Sequence, residues 1–222
     1  MTNFYQRPLL TEDELTEIRQ LISTAQWANS DKVLREYLTD YQDNSEMVLS
    51  ENKTRIAEIV MGAINRDHGF RDMVFPKRST QIIVSKTEVG QGFKSHYDVP
   101  ANGDYSTTIF ISEPESYGGG ELTMFLEGIE RKFALPAGHA LTYDTGVPHC
   151  VKEVSCGERY AIVFWTTSLV KDARLREILG DLRRAKKLLP KDYTYDLVET
   201  TNDPRFIIQG VENKIIRYFI DT

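Results

Sequence analysis

The chain has 222 residues, of which 41% are hydrophobic, 10% aromatic and 27% charged, and its formal net charge is −6. These values are typical of a globular protein with a sizeable core, and the negative charge argues against broad binding to nucleic acids or anionic membranes. No stretch has the pattern of a signal peptide or a membrane span, so we expect a cytoplasmic protein without a nucleic-acid or membrane partner. The two cysteines predict reduced thiols and no disulfide framework.

The N-terminal part of the chain predicts two amphipathic helices within residues 11–66. The first covers 11–26, where Thr11 and Glu14 have the spacing of a capping box. The second covers about 51–66, and in both segments apolar residues recur at helical intervals. Each helix is therefore predicted to pack one face against a core.

From residue 79 the hydrophobic period changes from helical to strand-like. Short apolar runs are separated by Gly, Pro, Asp or Ser at the regular spacing of an all-β sandwich or barrel. No helix-length segment interrupts these runs, which argues against a parallel α/β sheet. Helical spacing returns over 171–189 and ends at Pro190, and the tail 191–222 is interpreted as a strand or a helix packed on the domain.

His96 and Asp98 stand one residue apart at the head of the strand-like run HYDVPANGDYSTTIF. Side chains two positions apart in a strand point to the same face, so both residues can reach one metal ion. The pair is therefore a candidate for half of a metal site.

Three histidines are candidates for the third ligand. His68 ends a predicted helix outside the β region, and His139 lies in a predicted tight turn, PAGHA. His149 instead begins a predicted β-hairpin, PHCVKEVSCGERYAIVFW, whose returning strand carries Arg159. His149 is therefore the favoured ligand.

These four side chains suit one kind of chemistry. Two histidines and a carboxylate on one face of a ferrous ion leave coordination positions open for substrates. If the keto acid end of 2-oxoglutarate occupies those positions, its far carboxylate needs a cationic partner deeper in the site. Arginine fits that task because its planar fork holds a carboxylate through two parallel hydrogen bonds. His96, Asp98, His149 and Arg159 together are more specific than any one alone.

Two motifs carry a resemblance to a known family. SEPESYGGGEL has the pattern SxPxSYxGGEL, HCVKEVSCGER has the pattern HCVxxVxxGxR, and LPAG lies between them. With these elements, residues 79–182 resemble the bacterial PKHD-type hydroxylases, which are iron- and 2-oxoglutarate-dependent dioxygenases of the prolyl-hydroxylase kind. The resemblance implies that His96, Asp98 and His149 are the iron ligands and that Arg159 is the 2-oxoglutarate arginine.

The resemblance also implies the fold. We expect one α+β domain over residues 1–222, with a double-stranded β-helix, or jelly roll, at about 79–170. N-terminal helices within 11–66 and a C-terminal helix at 171–189, followed by the tail, are expected to flank this core.

Further contacts to the cosubstrate are expected around the same pocket. Many family members have a tyrosine on the strand before the HxD motif, whereas Ser85 or Lys86 is nearest in this chain, so Lys86 is expected to supply a charge instead. Thr108, on a strand facing the expected pocket, is a second candidate contact. Tyr143 and Trp165 match the family and are expected in the core and the pocket wall.

The expected reaction is hydroxylation, in which 2-oxoglutarate and O2 are consumed and succinate and CO2 are released. The expected cofactors are Fe(II) and 2-oxoglutarate, with ascorbate as a further candidate. The substrate is expected to be a prolyl or lysyl residue of a peptide or protein, a free amino acid or a small metabolite. Two alternatives stay open: a zinc hydrolase on the same three ligands, and a non-catalytic jelly-roll binding protein. The oligomeric state is not predicted.

Overall fold

The computed structural model describes residues 4–29, 42–190 and 197–219. These residues fall into two compact units. One unit contains the described residues up to Asp67 together with Ser79–Thr167, and the other contains His68–Arg78 and the described residues from Ser168 onward. The expectation of a single domain is not tested by this division and stays a prediction.

The two predicted N-terminal helices are confirmed. Helix α1 (Glu12–Ser23) begins after Thr11, whose hydroxyl accepts a hydrogen bond from the Glu14 backbone N–H. The Glu14 carboxylate accepts one in return from the Thr11 backbone N–H, so the predicted capping box is present. Helix α2 (Glu51–Arg66) matches its predicted bounds. Both helices bury their apolar stripe, as the predicted amphipathic pattern requires.

Strands make up most of the first unit. In chain order the strands are β1 (Phe4–Pro8), β2 (Trp27–Asn29), β3 (Gln42–Asp43), β4 (Ser45–Met47), β5 (Pro76–Ser79), β6 (Ile83–Thr87), β7 (Gly92–His96), β8 (Tyr105–Phe110), β9 (Tyr117–Gly119), β10 (Leu122–Leu126), β11 (Ile129–Phe133), β12 (His139–Asp144), β13 (His149–Val151), β14 (Val154–Gly157) and β15 (Arg159–Ser168). Most of them lie in the predicted β region, but β1 to β5 begin before residue 79 and were not predicted. All of β5 except Ser79 belongs to the second unit.

Two antiparallel sheets form the β core of the first unit. The larger sheet has the strand order β1-β12-β8-β15-β6-β4-β2, and the smaller sheet has the order β11-β10-β13-β7-β3. Between β6 and β15 the chain passes back and forth between the sheets, while β9 and β14 form a separate ribbon. Phe110 and Leu141 of the larger sheet belong to the same buried cluster as Leu122 and Met124 of the smaller sheet. This arrangement is the predicted double-stranded β-helix.

The predicted hairpin from His149 to Arg159 is wrong. Strand β13 pairs with β10 and β7 in the smaller sheet, whereas β15 pairs with β8 and β6 in the larger sheet. Between them, β14 pairs with β9, and Gly157 has a φ of 72°, a left-handed conformation that glycine adopts readily. His149 and Arg159 therefore reach the site from different sheets.

The second unit is largely helical. Its helices are α3 (His68–Val74), α4 (Ala173–Leu188), α5 (Leu197–Asn202) and α6 (Pro204–Phe219). The carboxylate of Asp172 accepts hydrogen bonds at the start of α4, which confirms the predicted C-terminal helix. The tail is helical over α5 and α6, and its residues 191–196 and 220–222 lie outside the described ranges. None of the helices in the described ranges is long and apolar enough to cross a membrane.

Candidate active site

Strand register brings three polar side chains together in the first unit. His96 ends β7, His149 begins β13, and the antiparallel pairing of these strands places the two residues opposite each other. Asp98 follows His96 by two residues. Candidate ligand atoms of the three side chains lie within 4.8 Å of one another. Among the described residues, no other group of three or more His, Cys, Asp or Glu side chains has a spacing that suits a metal ion.

Backbone carbonyl groups orient both imidazole rings. His96 Nδ1 lies 2.8 Å from the Lys94 carbonyl oxygen, and His149 Nδ1 lies 2.9 Å from the Val147 carbonyl oxygen. Because a carbonyl oxygen only accepts hydrogen bonds, each Nδ1 carries the proton and each Nε2 keeps a lone pair. Metal-binding histidines are commonly held in this way through their second nitrogen. Both rings are therefore set to bind a cation through Nε2.

The electrostatics of the group also suit a cation. Burial, together with the neighbouring His149, lowers the pKa of His96 to about 4, so its ring is neutral at neutral pH. Burial raises the pKa of Asp98, whose Oδ2 atom lies 3.9 Å from His149 Nε2. This oxygen has no hydrogen-bond partner among the described residues. A divalent cation would satisfy the buried oxygen and the two Nε2 lone pairs together, so the three residues fit a metal ion.

A cavity of about 440 Å³ adjoins the three side chains, and Arg159 lines it from the first position of β15. Arg159 is only 3% exposed, and its guanidinium carbon lies 5.6 Å from the centre of the Phe110 ring. No ion pair joins Arg159 to any carboxylate in the described part of the chain, and its Nε atom has no hydrogen-bond partner there. Burial lowers the pKa of this guanidinium, and the nearby Tyr117 phenol opposes the shift. A buried guanidinium without an anion lowers the stability of the fold, because the desolvation of its charge is not compensated. A carboxylate bound at this end of the cavity would compensate it.

Three other predicted residues lie at the cavity. Thr108, Tyr143 and Trp165 all line it, and the expected positions of Tyr143 and Trp165 are thereby confirmed. Tyr143 is also part of the buried apolar cluster, and burial raises the pKa of its phenol. The contact of Thr108 with a cosubstrate stays a prediction.

Lys86 lies outside the cavity, contrary to expectation. Its neighbours Ser85 and Thr87 line the cavity, so strand alternation turns Lys86 to the opposite face of β6. On that face its ammonium group lies 2.7 Å from a Glu88 carboxylate oxygen and 3.0 Å from one of Glu158. The hydrogen bond to Glu88 is the main cause that raises the pKa of Lys86. The expected charge contact of Lys86 with a cosubstrate is therefore wrong.

The two rejected histidines lie elsewhere. His139 begins β12 and is half-buried, and its Nδ1 faces the Ala137 carbonyl oxygen at 3.5 Å. His68 is exposed, and it begins α3 where the sequence predicted the end of a helix. Neither belongs to the group that could hold a metal, so the choice of His149 agrees with the geometry.

Several cavity residues were missed from the sequence. Ser106 lines the cavity two positions before Thr108 on β8, and the same-face rule for strands could have found it. Asn44 and Glu46 line the cavity from β4 and the residue before it. Because β4 has only three residues, its period is too short to be recognised in the sequence.

Comparison with known proteins supports the same chemistry. Residues 81–167 match the family model of the 2OG-Fe(II) oxygenase superfamily. A PKHD-type hydroxylase of Thermosynechococcus vestitus is 32% identical over 190 residues, which cover 82% of this chain and 85% of that protein. A PKHD-type hydroxylase of Gluconacetobacter diazotrophicus is 30% identical over 187 residues, which cover 79% and 82%.

Solved structures share the fold at lower identity. A prolyl-4-hydroxylase of Pseudomonas putida is 18% identical with a TM-score of 0.53, covering 75% of this chain and 92% of that chain. A prolyl hydroxylase of Trichoplax adhaerens, solved with a peptide fragment of the hypoxia inducible factor oxygen degradation domain, is 17% identical with a TM-score of 0.55, covering 80% and 87%. These structures confirm the jelly-roll fold. The identity to the two hydroxylases over most of each chain shows that this protein belongs to the PKHD-type hydroxylases, enzymes of the 2OG-Fe(II) oxygenase superfamily.

Proposed function

We propose that the protein hydroxylates an organic substrate while 2-oxoglutarate and O2 are converted to succinate and CO2. One oxygen atom of O2 enters the substrate and the other enters succinate. In this proposal His96, Asp98 and His149 hold Fe(II), and Arg159 binds the far carboxylate of 2-oxoglutarate. The observation that carries the proposal is the buried Arg159 without an ion-pair partner in the described chain, in the same cavity as the three candidate ligands.

Each side chain has a defined task in the proposed reaction. Bound Fe(II) supplies the redox chemistry with O2. The carbonyl groups of Lys94 and Val147 hold the two imidazole rings so that Nε2 points to the metal position. Arg159 orients the diacid by a charge-assisted hydrogen-bond pair, and Thr108 is a further candidate contact from β8. The apolar part of the cavity wall limits the access of water to the reacting groups.

Both alternative functions are less well supported. A zinc hydrolase would use the three ligands but would leave the buried Arg159 without a purpose. A non-catalytic jelly roll has no need for both the ligand group and the buried guanidinium in one cavity. The family membership of the chain also favours the oxygenase.

The proposed substrate is a residue of a peptide or protein, a free amino acid or a small metabolite. The Trichoplax relative was solved with a peptide fragment, which supports a residue of a peptide or protein as one candidate. A free amino acid or a small metabolite fits the same cavity size. Ascorbate is a further candidate cofactor, and its addition to an assay of succinate formation tests this role.

Iron binding tests the assignment of the ligands. His149→Ala should lose both bound Fe(II) and activity, because two remaining ligands hold the ion poorly. The measurement is the metal content of protein reconstituted with Fe(II) without oxygen. His139→Ala is the matched control, because His139 lies outside the ligand group, and it should keep its iron. Full iron occupancy in His149→Ala would refute the assignment.

A further inference from the structure

Two hydrogen-bond donors in the cavity wall have no acceptor in the described part of the chain. They are the Ser106 hydroxyl and the indole N–H of Trp165, and both atoms are withdrawn from solvent. Ser106 is 1% exposed and Trp165 is half-buried, and both side chains line the cavity. Buried polar atoms without a partner are few in native proteins and often mark a functional site. The two donors therefore need an explanation.

Strand pairing places the two donors side by side. Trp165 of β15 lies opposite Ser106 of β8 in the larger sheet, and residues opposite each other on antiparallel strands point to the same face. The Thr80 hydroxyl accepts a hydrogen bond of 3.1 Å from the Trp165 backbone N–H, which fixes this part of the strand. Ser106 and Trp165 thus form one patch of the cavity wall, and we call them the donor pair.

The loop that follows Asp98 is fixed beside the donor pair. Residues 99–104 connect Asp98 to the start of β8. Within this loop the Asp104 backbone N–H donates a hydrogen bond of 3.0 Å to the carbonyl oxygen of Thr166, the residue after Trp165. The loop therefore lies against β15, and Asp98 enters the cavity next to the donor pair.

Electrostatics also place the Asp98 carboxylate near both donors. Burial raises the pKa of Asp98, and His149, the Trp165 indole and the Ser106 hydroxyl oppose this rise. The Oδ2 atom of Asp98, like the two donors, has no hydrogen-bond partner within the described ranges. Two donors and one acceptor thus lie close together without a hydrogen bond between them. A cation that fixed the carboxylate would allow these hydrogen bonds to form.

We propose that Ser106 and Trp165 are positioning residues that hold the Asp98 carboxylate by hydrogen bonds when the metal ion is bound. This inference rests on the proposed function, because it concerns a ligand of the same metal site. A carboxylate that binds a metal through one oxygen has lone pairs left on its other oxygen. Metal-binding carboxylates are commonly oriented by hydrogen bonds from neighbouring side chains, and loss of such a partner typically lowers metal affinity about 10- to 100-fold. The donor pair supplies two of these hydrogen bonds.

A pair of variants at Ser106 tests the role of its hydroxyl. Ser106→Thr and Ser106→Val add the same branched side chain, but only threonine keeps the hydroxyl. Mn(II) is the probe, because it stands next to Fe(II) in the order of divalent-metal affinities, and it is titrated alone by calorimetry into the metal-free protein. We expect Ser106→Val to bind Mn(II) at least about tenfold more weakly than Ser106→Thr. Equal affinities of the two variants would overturn the role of Ser106.

A second pair of variants tests the indole N–H. Trp165→Phe removes this donor and keeps an aromatic ring, so its affinity for Mn(II) should fall at least about tenfold. Trp27→Phe is the matched control, because Trp27 lies on β2, packs against the Tyr160 ring and is not among the described residues of the cavity wall. It should keep the wild-type affinity. Since no substrate is present, a donor that served only to bind substrate would leave the Mn(II) affinity of Trp165→Phe unchanged, and this result would overturn the role of Trp165.

The stability of the metal-free variants separates positioning from packing. Without a metal ion the Ser106 hydroxyl has no described partner, so its removal breaks no hydrogen bond. In a chelator we therefore expect Ser106→Val to have a Tm at least as high as that of Ser106→Thr, although it binds Mn(II) more weakly. A lower Tm for Ser106→Val, in parallel with its weaker binding, would indicate a structural role and would contradict the proposal. If the added methyl group prevents both Ser106 variants from folding, the Trp165→Phe titration decides.

The wild-type titration distinguishes failure of this inference from failure of the proposed function. If the wild-type protein does not bind Mn(II), the proposed metal site fails and the positioning role fails with it. If the wild-type protein binds Mn(II), but neither the Ser106 pair nor Trp165→Phe changes the affinity, only the positioning role is overturned.

Discussion

Asp98 and Arg159 are buried polar residues, and one side-chain atom of each is left unsatisfied. Asp98 Oδ2 and Arg159 Nε both lack hydrogen-bond partners in the described ranges. Such atoms reduce the stability of the ligand-free protein. Ligands that satisfy them bind the folded state and not the unfolded chain, and therefore stabilise the fold. At the scale of single residues, the free energy of unfolding thus depends on which ligands are bound to Asp98 and Arg159.

Asp98→Asn should stabilise the metal-free protein at neutral pH. The pKa of Asp98 is raised on folding, mainly by burial, so the folded state keeps this proton to a higher pH than the unfolded chain does. The carboxyl group therefore subtracts stability as pH rises above its ordinary value of 3.8. We expect a higher Tm for Asp98→Asn than for the wild type in a chelator at neutral pH.

Calorimetric scans over a range of pH check this prediction. The difference in Tm between Asp98→Asn and the wild type should shrink below pH 3.8, where the carboxyl is protonated in both states. With Fe(II) present the order should reverse, because the variant loses a metal ligand. A lower Tm for the metal-free variant at neutral pH would contradict the account.

Arg159→Ala should weaken the binding of 2-oxoglutarate while iron stays bound. Loss of a charge-assisted bidentate contact in a partly dry pocket costs about 2–4 kcal/mol, or roughly thirty- to a thousandfold in affinity. Arg159→Lys should recover only part of this loss, since a point charge does not reproduce the planar fork. Calorimetric titration of 2-oxoglutarate into the iron-loaded variants measures the effect. An alanine variant with wild-type affinity would remove Arg159 from the cosubstrate site.

At the scale of elements, features that depend on local sequence were predicted well, whereas the pairing of strands distant in the sequence was not. The capping box of α1 lies within four consecutive residues, so its start was predictable from the sequence. Strand β1 was missed because arginine is usually exposed, which made Arg7 look like a surface residue. In the structure Arg7 is buried, and it forms an ion pair with the distant Asp67. The assignment of β13 and β15 to different sheets depends on strand pairing that no local pattern encodes.

Gly119→Ala, in the ribbon of β9 and β14, should lower the free energy of unfolding much more than Gly128→Ala does in the turn between β10 and β11. Both glycines have positive φ, 68° and 81°, so alanine at either position costs about 1–2 kcal/mol in backbone strain. A Cβ at Gly119 would lie 2.1 Å from the Glu153 carbonyl oxygen, whereas nothing lies within 4 Å of one at Gly128. The clash adds to the strain, so we expect a total above about 3 kcal/mol for Gly119→Ala.

Urea unfolding of the two variants compares these costs directly. Gly128→Ala is the matched control, because it has the same backbone strain and no clash. Equal free energies of unfolding for the two variants would show that the ribbon yields to the added methyl group. The close approach of β9 and β14 would then not be a constraint on the fold.

At the scale of the whole molecule, sequence motifs predicted the residues of the candidate active site. The other residues that line the cavity are determined by the fold. His96, Asp98, His149 and Arg159 were found because their residue types and the family motifs single them out. Asn44 and Glu46 were not found as cavity residues, because Glu46 lies on a strand of three residues whose place in the sheet depends on its pairing with β6. Residues of the proposed metal and cosubstrate sites can thus be recognised in this sequence, while other residues of the cavity wall cannot.

The central claim is that this cavity joins iron, 2-oxoglutarate and O2 in one reaction, and succinate formation tests it most directly. Many oxygenases of this type convert 2-oxoglutarate slowly without their main substrate, so the assay by mass spectrometry does not require that substrate. We predict succinate from the wild type and from His139→Ala only when Fe(II) and O2 are both present, and none from Asp98→Ala. Zn(II) should support no turnover because it has no redox chemistry. Absence of succinate from protein shown to hold Fe(II) and 2-oxoglutarate, with or without cell extract as a substrate source, would contradict the account.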